Sequence, residues 1–236
     1  MYLEEYQAGR YENQTDYSAF IPSNASYVPP SHIHIPELIT DMEKFIHNDE
    51  IYVPSLIRIA MIHYQFESIH PFLDGNGRAG RIMIPLFLLD SGLLKKPCFY
   101  ISDYFEIHRT EYYDALNQVR LNQDMIGWII FFLKASVATA KSARVKFGKA
   151  VTLVDEYNRL VPQISGSTEN VLAIFDAFYD NPIQNANVLS ESNSISKQTV
   201  SRILAAMHEK GILEEITGYS RNRVYAMRKY LDVFRI

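Results

Sequence analysis

The run His70-Pro71-Phe72-Leu73-Asp74-Gly75-Asn76-Gly77-Arg78-Ala79-Gly80-Arg81 gathers an imidazole, a carboxylate, closely spaced glycines and a pair of guanidiniums. Gly75 and Gly77 flank Asn76, and glycines so close together allow backbone conformations that turn successive N–H groups into one concavity, an anion-binding nest. A helix starting directly behind the nest adds its unpaired N–H groups and the positive end of its dipole to the same field. Arg78 and Arg81 lie one helical turn apart, hence on one face, and their planar forks match phosphate oxygens. Asp74, just ahead of the nest, is placed to hold a Mg²⁺ that bridges nucleotide phosphates. His70, with an ordinary pKa of about 6.5, can accept a proton from an attacking hydroxyl. Phe72 alternates with these polar groups and is expected to point inward and pin the loop. No lysine followed by Ser or Thr trails the glycines, which excludes a Walker P-loop.

These groups need elements to hold them. From Tyr17 to Pro30, short apolar pieces alternate with turn formers, which reads as a hairpin with an extended exit. Ile35, Leu38, Ile39, Met42, Phe45 and Ile46 then recur at helical spacing, with Pro36 suited to a first turn. A second helix is expected from about Pro54 to Ser68, ending at the motif. A third, from near Arg78 to Leu89, is apolar almost all round, predicting the buried centre of a bundle, closed by Gly92. Helical patterns resume over about Tyr104–Leu121 and Met125–Leu160. Turn formers at 161–168 mark a linker, which gives domains at 1–160 and 169–236. Beyond it, Val171–Tyr179, Asn185–Leu189 and Ser196–Lys210 read as short helices, followed by a hairpin through Thr217-Gly218, the pattern of a winged helix-turn-helix.

A formal charge of −4 gives no global pull toward nucleic acid or anionic membrane. Cys98 is the chain's one cysteine, so neither an internal disulfide nor a Cys-rich metal site is expected, and a reducing, cytoplasmic setting fits. The apolar runs Ile82–Leu89 and Ile126–Leu133 fall well short of the ~20 residues of a membrane span.

The motif resembles the signature of the Fic family, His-x-Phe-x-Asp/Glu-Gly-Asn-Gly-Arg-x-x-Arg, and matches it at every specified position. Ala25 to Pro30 looks like the end of that family's flap hairpin (about 18–30 here), and Tyr112-Tyr113-Asp114-Ala115-Leu116 like its nucleotide-side helix. The resemblance implies a mainly α fold: a Fic-type helical bundle with a small β-hairpin flap, followed here by the winged-helix module. It also implies transfer of AMP from ATP, with Mg²⁺, to a Tyr, Ser or Thr hydroxyl of a target protein. In that reading His70 is the base and Asp74 the metal ligand. Gly75, Asn76 and Gly77 form the anion hole, and Arg78 and Arg81 hold the phosphates. Tyr112, Tyr113, Leu116 and Arg120 border the adenosine, and the flap at Asn24, Ala25, Ser26 and Tyr27 docks the target segment. Arg81 favours AMP transfer over the phosphate transfer of the related Doc kinases, which resemble the pattern without a second arginine.

Many Fic proteins carry an inhibitory Ser/Thr-x-x-x-Glu-Gly/Asn helix. No segment ahead of His70 fits it. Ser165-Gly166-Ser167-Thr168-Glu169-Asn170 does, although Glu169 also reads as a first-turn acid of the helix it precedes, with Ser167 or Thr168 as N-cap. In the C-terminal module, Lys197, Arg202, Arg221 and Arg223 offer a modest basic face to DNA, offset by Glu209, Glu214 and Glu215. That balance favours a protein-interaction or target-presenting role for the module over sequence-specific DNA binding; besides a target protein, the candidate partners are DNA through this module and a second copy of the chain, with no membrane. A DNA-binding regulator with a nucleotide-sensing core, and a hydrolase that removes AMP at the same site, are the alternative functions.

Overall fold

A computed structural model of the chain describes residues 27–235, so most of the expected flap, including Asn24, Ala25 and Ser26, lies outside the described residues. The described residues are mainly helical, with one three-stranded sheet, and divide into two compact units that meet between Ala143 and Arg144.

The first unit is built on helices α1 (Ile35–Ile46), α2 (Ser55–Ile69) and α3 (Asn76–Asp90). Pro36 occupies the first turn of α1, as expected, and Leu38, Ile39 and Met42 pack on Ile62, Phe66 and Ile69 of α2. Helices α2 and α3 press together at Gly80, where a β-carbon would lie 2.5 Å from Glu67 Oε1 and 3.2 Å from the Phe66 ring. Helix α3 starts two residues before the expected Arg78. It is not buried all round: Ile84 and Leu88 continue the Gly80 stripe into the core, while Ile82 and Leu86 are 60% and 55% exposed. The reason is geometric, since residues four apart share one face and only that face meets α2.

The helix expected over Tyr104–Leu121 is two, α4 (Ser102–Ile107) and α5 (Arg109–Asn122), broken at His108 with φ −105° and ψ 40°. Helix α6 (Met125–Leu160) begins in the first unit and ends in the second. By length and composition alone α6 is long and apolar enough to cross a membrane, which the shorter runs in the sequence did not suggest. Its early turns place Trp128, Phe132 and Ala135 in the core, with Trp128 Nε1 donating to the Ala60 carbonyl at 2.8 Å.

In the second unit, the stretch expected as a linker contains a 3-10 turn at Val161–Gln163, and Val161 and Ile164 are buried in that unit's own core beside Tyr157. This placement differs from the sequence boundary because the turn formers there alternate with apolar residues that pack. Helices α7 (Thr168–Asp180), α8 (Ala186–Asn193) and α9 (Lys197–Glu209) are each capped by a side chain: Ser167 accepts from Asn170 N–H, Asn185 from Asn187 and Val188 N–H, and Ser196 from Thr199 N–H. The segment read as a helix from Asn185 is preceded by a strand, β1 (Ile183–Asn185). It pairs antiparallel with β3 (Val224–Ala226), which pairs with β2 (Glu214–Glu215) on its other side, with Ala226 opposite both Ile183 and Glu214. A last helix, α10 (Arg228–Phe234), follows.

Candidate active site

The site forms where α2 stops and α3 begins. His70 ends α2 with its backbone in the left-handed region, φ 51° and ψ 57°, which is uncommon for a non-glycine residue and turns the chain out of the helix axis. Pro71 supports that stop, because the residue before a proline is disfavoured in right-handed helix. Four residues on, Gly75 takes φ 84° and becomes the N-cap of α3. No side chain caps that N-terminus. Its N–H groups and dipole therefore face the motif loop, as an anion site requires.

The loop between these helices is held by Asn76. This residue is 2% exposed; its Oδ1 accepts from the Phe72 N–H at 2.8 Å and its Nδ2 donates to the Phe72 carbonyl at 2.6 Å. Phe72, expected to pin the loop by pointing inward, is 53% exposed, although its ring centroid lies 6.2 Å from that of Phe66. The correction has a simple cause: an amide that satisfies both backbone groups of one residue fixes the loop without a buried ring.

The two motif arginines lie back over the two glycines. A β-carbon on Gly75 would stand 3.4 Å from Arg78 Nη2, and one on Gly77 3.0 Å from Arg81 Nη1. A side chain at Gly77 would push the Arg81 guanidinium aside by a few tenths of an ångström, whereas at Gly75 the obstacle is the positive φ and not the Arg78 side chain. Asp74 accepts from the Gly75 N–H at 2.6 Å through Oδ1 and pairs with Arg78 Nη2 at 3.2 Å through Oδ2, both side chains being well exposed. Such a surface pair is easily opened. Among the described residues no cluster of three or more His, Cys, Asp or Glu could hold a metal by itself, so a cation at Asp74 would complete its oxygen shell from phosphates and water, as Mg²⁺ does.

His70 is half-buried, and its Nδ1 is enclosed without a hydrogen-bond partner. Burial, reinforced by the Arg120 charge, pulls its pKa below the ordinary 6.5, while the Glu67 carbonyl pulls the other way. The imidazole is thus kept neutral, the form a base needs.

Sequence reasoning missed the carboxyl behind it. Glu67, one turn earlier on α2, is 8% exposed with an unpartnered Oε1, and burial pushes its pKa up to about 7 against the opposing pull of Arg81 and Arg120. A charged residue between Phe66 and Ile69 on an apolar helix was the available signal. His63 is a packed helix residue: burial lowers its pKa to about 4, its Nδ1–H donates to the Gly80 carbonyl at 3.1 Å, and its Nε2 accepts from the Tyr112 hydroxyl at 3.0 Å. The carbonyl can only accept, which fixes the tautomer. It ties α2, α3 and α5 together under the motif.

Of the residues expected beside the adenosine, Tyr112 and Leu116 are buried core residues of the first unit, packed with Phe105 and Trp128. Tyr113 is half-buried with the Arg109 guanidinium 5.9 Å from its ring centroid, and Arg120 is half-buried against the end of α2. Tyr27, the one described flap residue of the expected set, also lies against the end of α2. Glu169, the candidate inhibitory residue, is exposed in the first turn of α7 in the second unit, where Ser167 is the N-cap. That unit also has an open pocket of about 520 Å³ lined by Lys197, Ser201, Arg221, Asn222 and Arg223 and by no acidic residue.

Comparison with known proteins follows the motif. The Fic/DOC family model matches residues 1–88. A probable protein adenylyltransferase of Aquifex aeolicus is 37% identical over 70 residues, covering 30% of this chain and 22% of that protein. A protein adenylyltransferase of Caenorhabditis elegans is 27% identical over 151 residues, covering 62% of this chain and 28% of its own length. One of Culex quinquefasciatus is 30% identical over 114 residues, covering 48% and 21%. The chain thus spans between 21% and 28% of the length of these relatives. A crystal structure of a Fic family protein from Desulfovibrio desulfuricans aligns over 85% of this chain and 57% of its own, at 23% identity and a TM-score of 0.46. The loop that joins α2 to α3, with His70 at one end and the glycine-capped arginines at the other, therefore lies within the stretch, residues 1–88, that matches the Fic/DOC family model.

Proposed function

We propose that this chain is a protein adenylyltransferase, moving AMP from ATP to a hydroxyl of a target protein with release of pyrophosphate. The observation that carries this reading is a neutral-held imidazole at the end of α2 that shares one short loop with an uncapped, glycine-started helix N-terminus and two guanidiniums. His70 takes the proton of the target hydroxyl as its oxygen attacks the α-phosphorus. The Gly75–Gly77 backbone and the start of α3 receive the phosphate charge, and Arg78 and Arg81 orient the departing pyrophosphate. Asp74 would hold Mg²⁺, which supplies further charge neutralisation on the phosphates.

The relatives' names support the class of reaction, and the second guanidinium supports AMP over phosphate transfer. ATP labelled on the α-phosphate is expected to label protein, and ATP labelled on the γ-phosphate is not. Label arriving only from the γ position would make the protein a kinase, and no label from either would overturn the reading.

A second reading concerns the C-terminal unit alone, which we take to be a winged-helix module. Its helices α7–α9 beside a three-stranded sheet support this, and the acid-free pocket with Lys197, Arg221 and Arg223 favours contact with duplex nucleic acid. Binding to random duplex should weaken steeply with salt, and Arg221→Ala with Arg223→Ala should lower the salt slope by about 2. Salt-independent or absent binding would leave protein docking as the role of this unit.

A further inference from the structure

The end of α2 is short of hydrogen-bond donors. The last carbonyls of a helix lack their usual partners four residues on. Here the shortage is worse than usual: Pro71 has no N–H to offer the Glu67 carbonyl, and the Phe72 N–H that Ser68 would use goes to Asn76 Oδ1 at 2.8 Å. Phe66 keeps its donor, the His70 N–H at 2.9 Å. Besides the His70 ring, which feels the Glu67 carbonyl, two side chains from distant parts of the chain answer the others. The Tyr27 hydroxyl donates to the Ser68 carbonyl at 2.5 Å, and Arg120 Nη2 of α5 reaches to 3.5 Å from the Glu67 carbonyl.

These two side chains also hold each other. The Arg120 guanidinium carbon stands 3.5 Å from the Tyr27 ring centroid, and Nη1 is tied back to Asn117 Oδ1 at 3.0 Å. A cation is well placed at this end of a helix, where the dipole is negative. Tyr64 and Glu67 on α2, Tyr112 on α5 and His70 itself are the titratable groups that feel the Arg120 charge. Buried polar atoms without partners gather here too: Glu67 Oε1, Ser68 Oγ, His70 Nδ1 and Arg120 Nε.

We propose that Arg120 and Tyr27 form a two-part cap on the C-terminal carbonyls of α2, and that this cap is what keeps the left-handed His70 turn in place. The proposal deepens the adenylyl-transfer reading and rests on it for its consequence in catalysis. Arg120 and Tyr27 touch no reacting atom in it; they are positioning residues, acting through His70. Arg120 thereby takes a different role from the adenosine contact that its resemblance to the family suggested.

The test follows the His70 imidazole by NMR titration in wild type, Arg120→Gln, Tyr27→Leu and the double variant, alongside transfer of α-phosphate label. Each single variant opens the cap, exposes His70 and should move its pKa up toward the ordinary value. Each should also lower kcat by about ten-fold, with KM for ATP changed less than about two-fold, the pattern of a displaced base. The double variant should be no worse than the poorer single, because both remove one structure. His70 titrating as in wild type in both singles, or effects that multiply in the double variant, would overturn the cap. Should Arg120→Gln not fold, Tyr27→Phe decides alone: it keeps the ring under Arg120 and deletes the hydrogen bond to Ser68, so an unchanged His70 titration counts against the proposal and a shifted one for it. If wild type transfers no AMP, the reading of function fails while the titrations still judge the cap.

Discussion

His70→Asn is expected to keep the fold and to lose AMP transfer by about 10²–10⁴-fold, the usual contribution of a positioned general base. Asparagine is the substitution of choice because position 70 sits at φ 51°. Asparagine tolerates that region, whereas alanine would add about 1–2 kcal/mol of backbone cost and confuse lost chemistry with lost structure. The measurement is the rate of α-phosphate label transfer, with thermal melting as the control. Transfer at the wild-type rate would remove His70 from the role of base. The pH profile gives a second reading of the same residue. Burial and the Arg120 charge hold the His70 pKa below 6.5, so the neutral base predominates through neutrality. The acid limb of wild-type kcat/KM should have its half-point below pH 6.5, as the ring takes up a proton that the reaction needs it to lack. A half-point above pH 6.5 would contradict this environment.

Asn76→Ala should damage both stability and transfer. The side chain it removes is buried and serves the N–H and the carbonyl of Phe72 at 2.8 and 2.6 Å. Both Phe72 backbone groups would lose their partner in a part-exposed loop where water replaces some of what is lost, so a loss of about 1–3 kcal/mol in unfolding free energy is expected. Transfer should fall by about 10–100-fold in the fraction that remains folded, since the loop that sets the distance between His70 and the α3 N-terminus is no longer fastened. Asn76→Asp separates shape from chemistry: it keeps the acceptor for the Phe72 N–H but sets a carboxylate oxygen against the Phe72 carbonyl. It should be no better than alanine. A variant Asn76→Ala that melts like wild type would show that the amide is not what holds the loop.

Asn76 also shows where sequence reading stops. The order of imidazole, carboxylate, glycines and arginines is local, and local order was enough to place the anion site at the start of a helix. The division of labour inside it was not legible, because an amide between two glycines is as good a nest member as a strut, and only the fold of the loop back onto Phe72 decides. Glu67 was hidden for a related reason. Its burial depends on Gly80 from another helix, and pairwise contact between helices leaves no periodic trace in either. The break at His108 has neither glycine nor proline to announce it. Strand β1 is three residues long, too short for an alternating pattern, and becomes a strand through pairing with β3, distant in sequence. The helices α1, α2 and α6, by contrast, were legible because their apolar spacing persists over several turns.

The exposed pair between Asp74 and Arg78 has one more consequence. With its carboxylate and guanidinium joined at 3.2 Å, the phosphate site carries its own counter-ions. In the proposed reaction, admission of a nucleotide would be an exchange of partners: Arg78 would leave the carboxylate for a phosphate, and the carboxylate would be left open to a cation. Each arrival removes part of what opposed the other, and by reciprocity of linked binding the gain must be equal in both directions. In the proposed reaction, nucleotide and metal would enter this site as cooperating ligands.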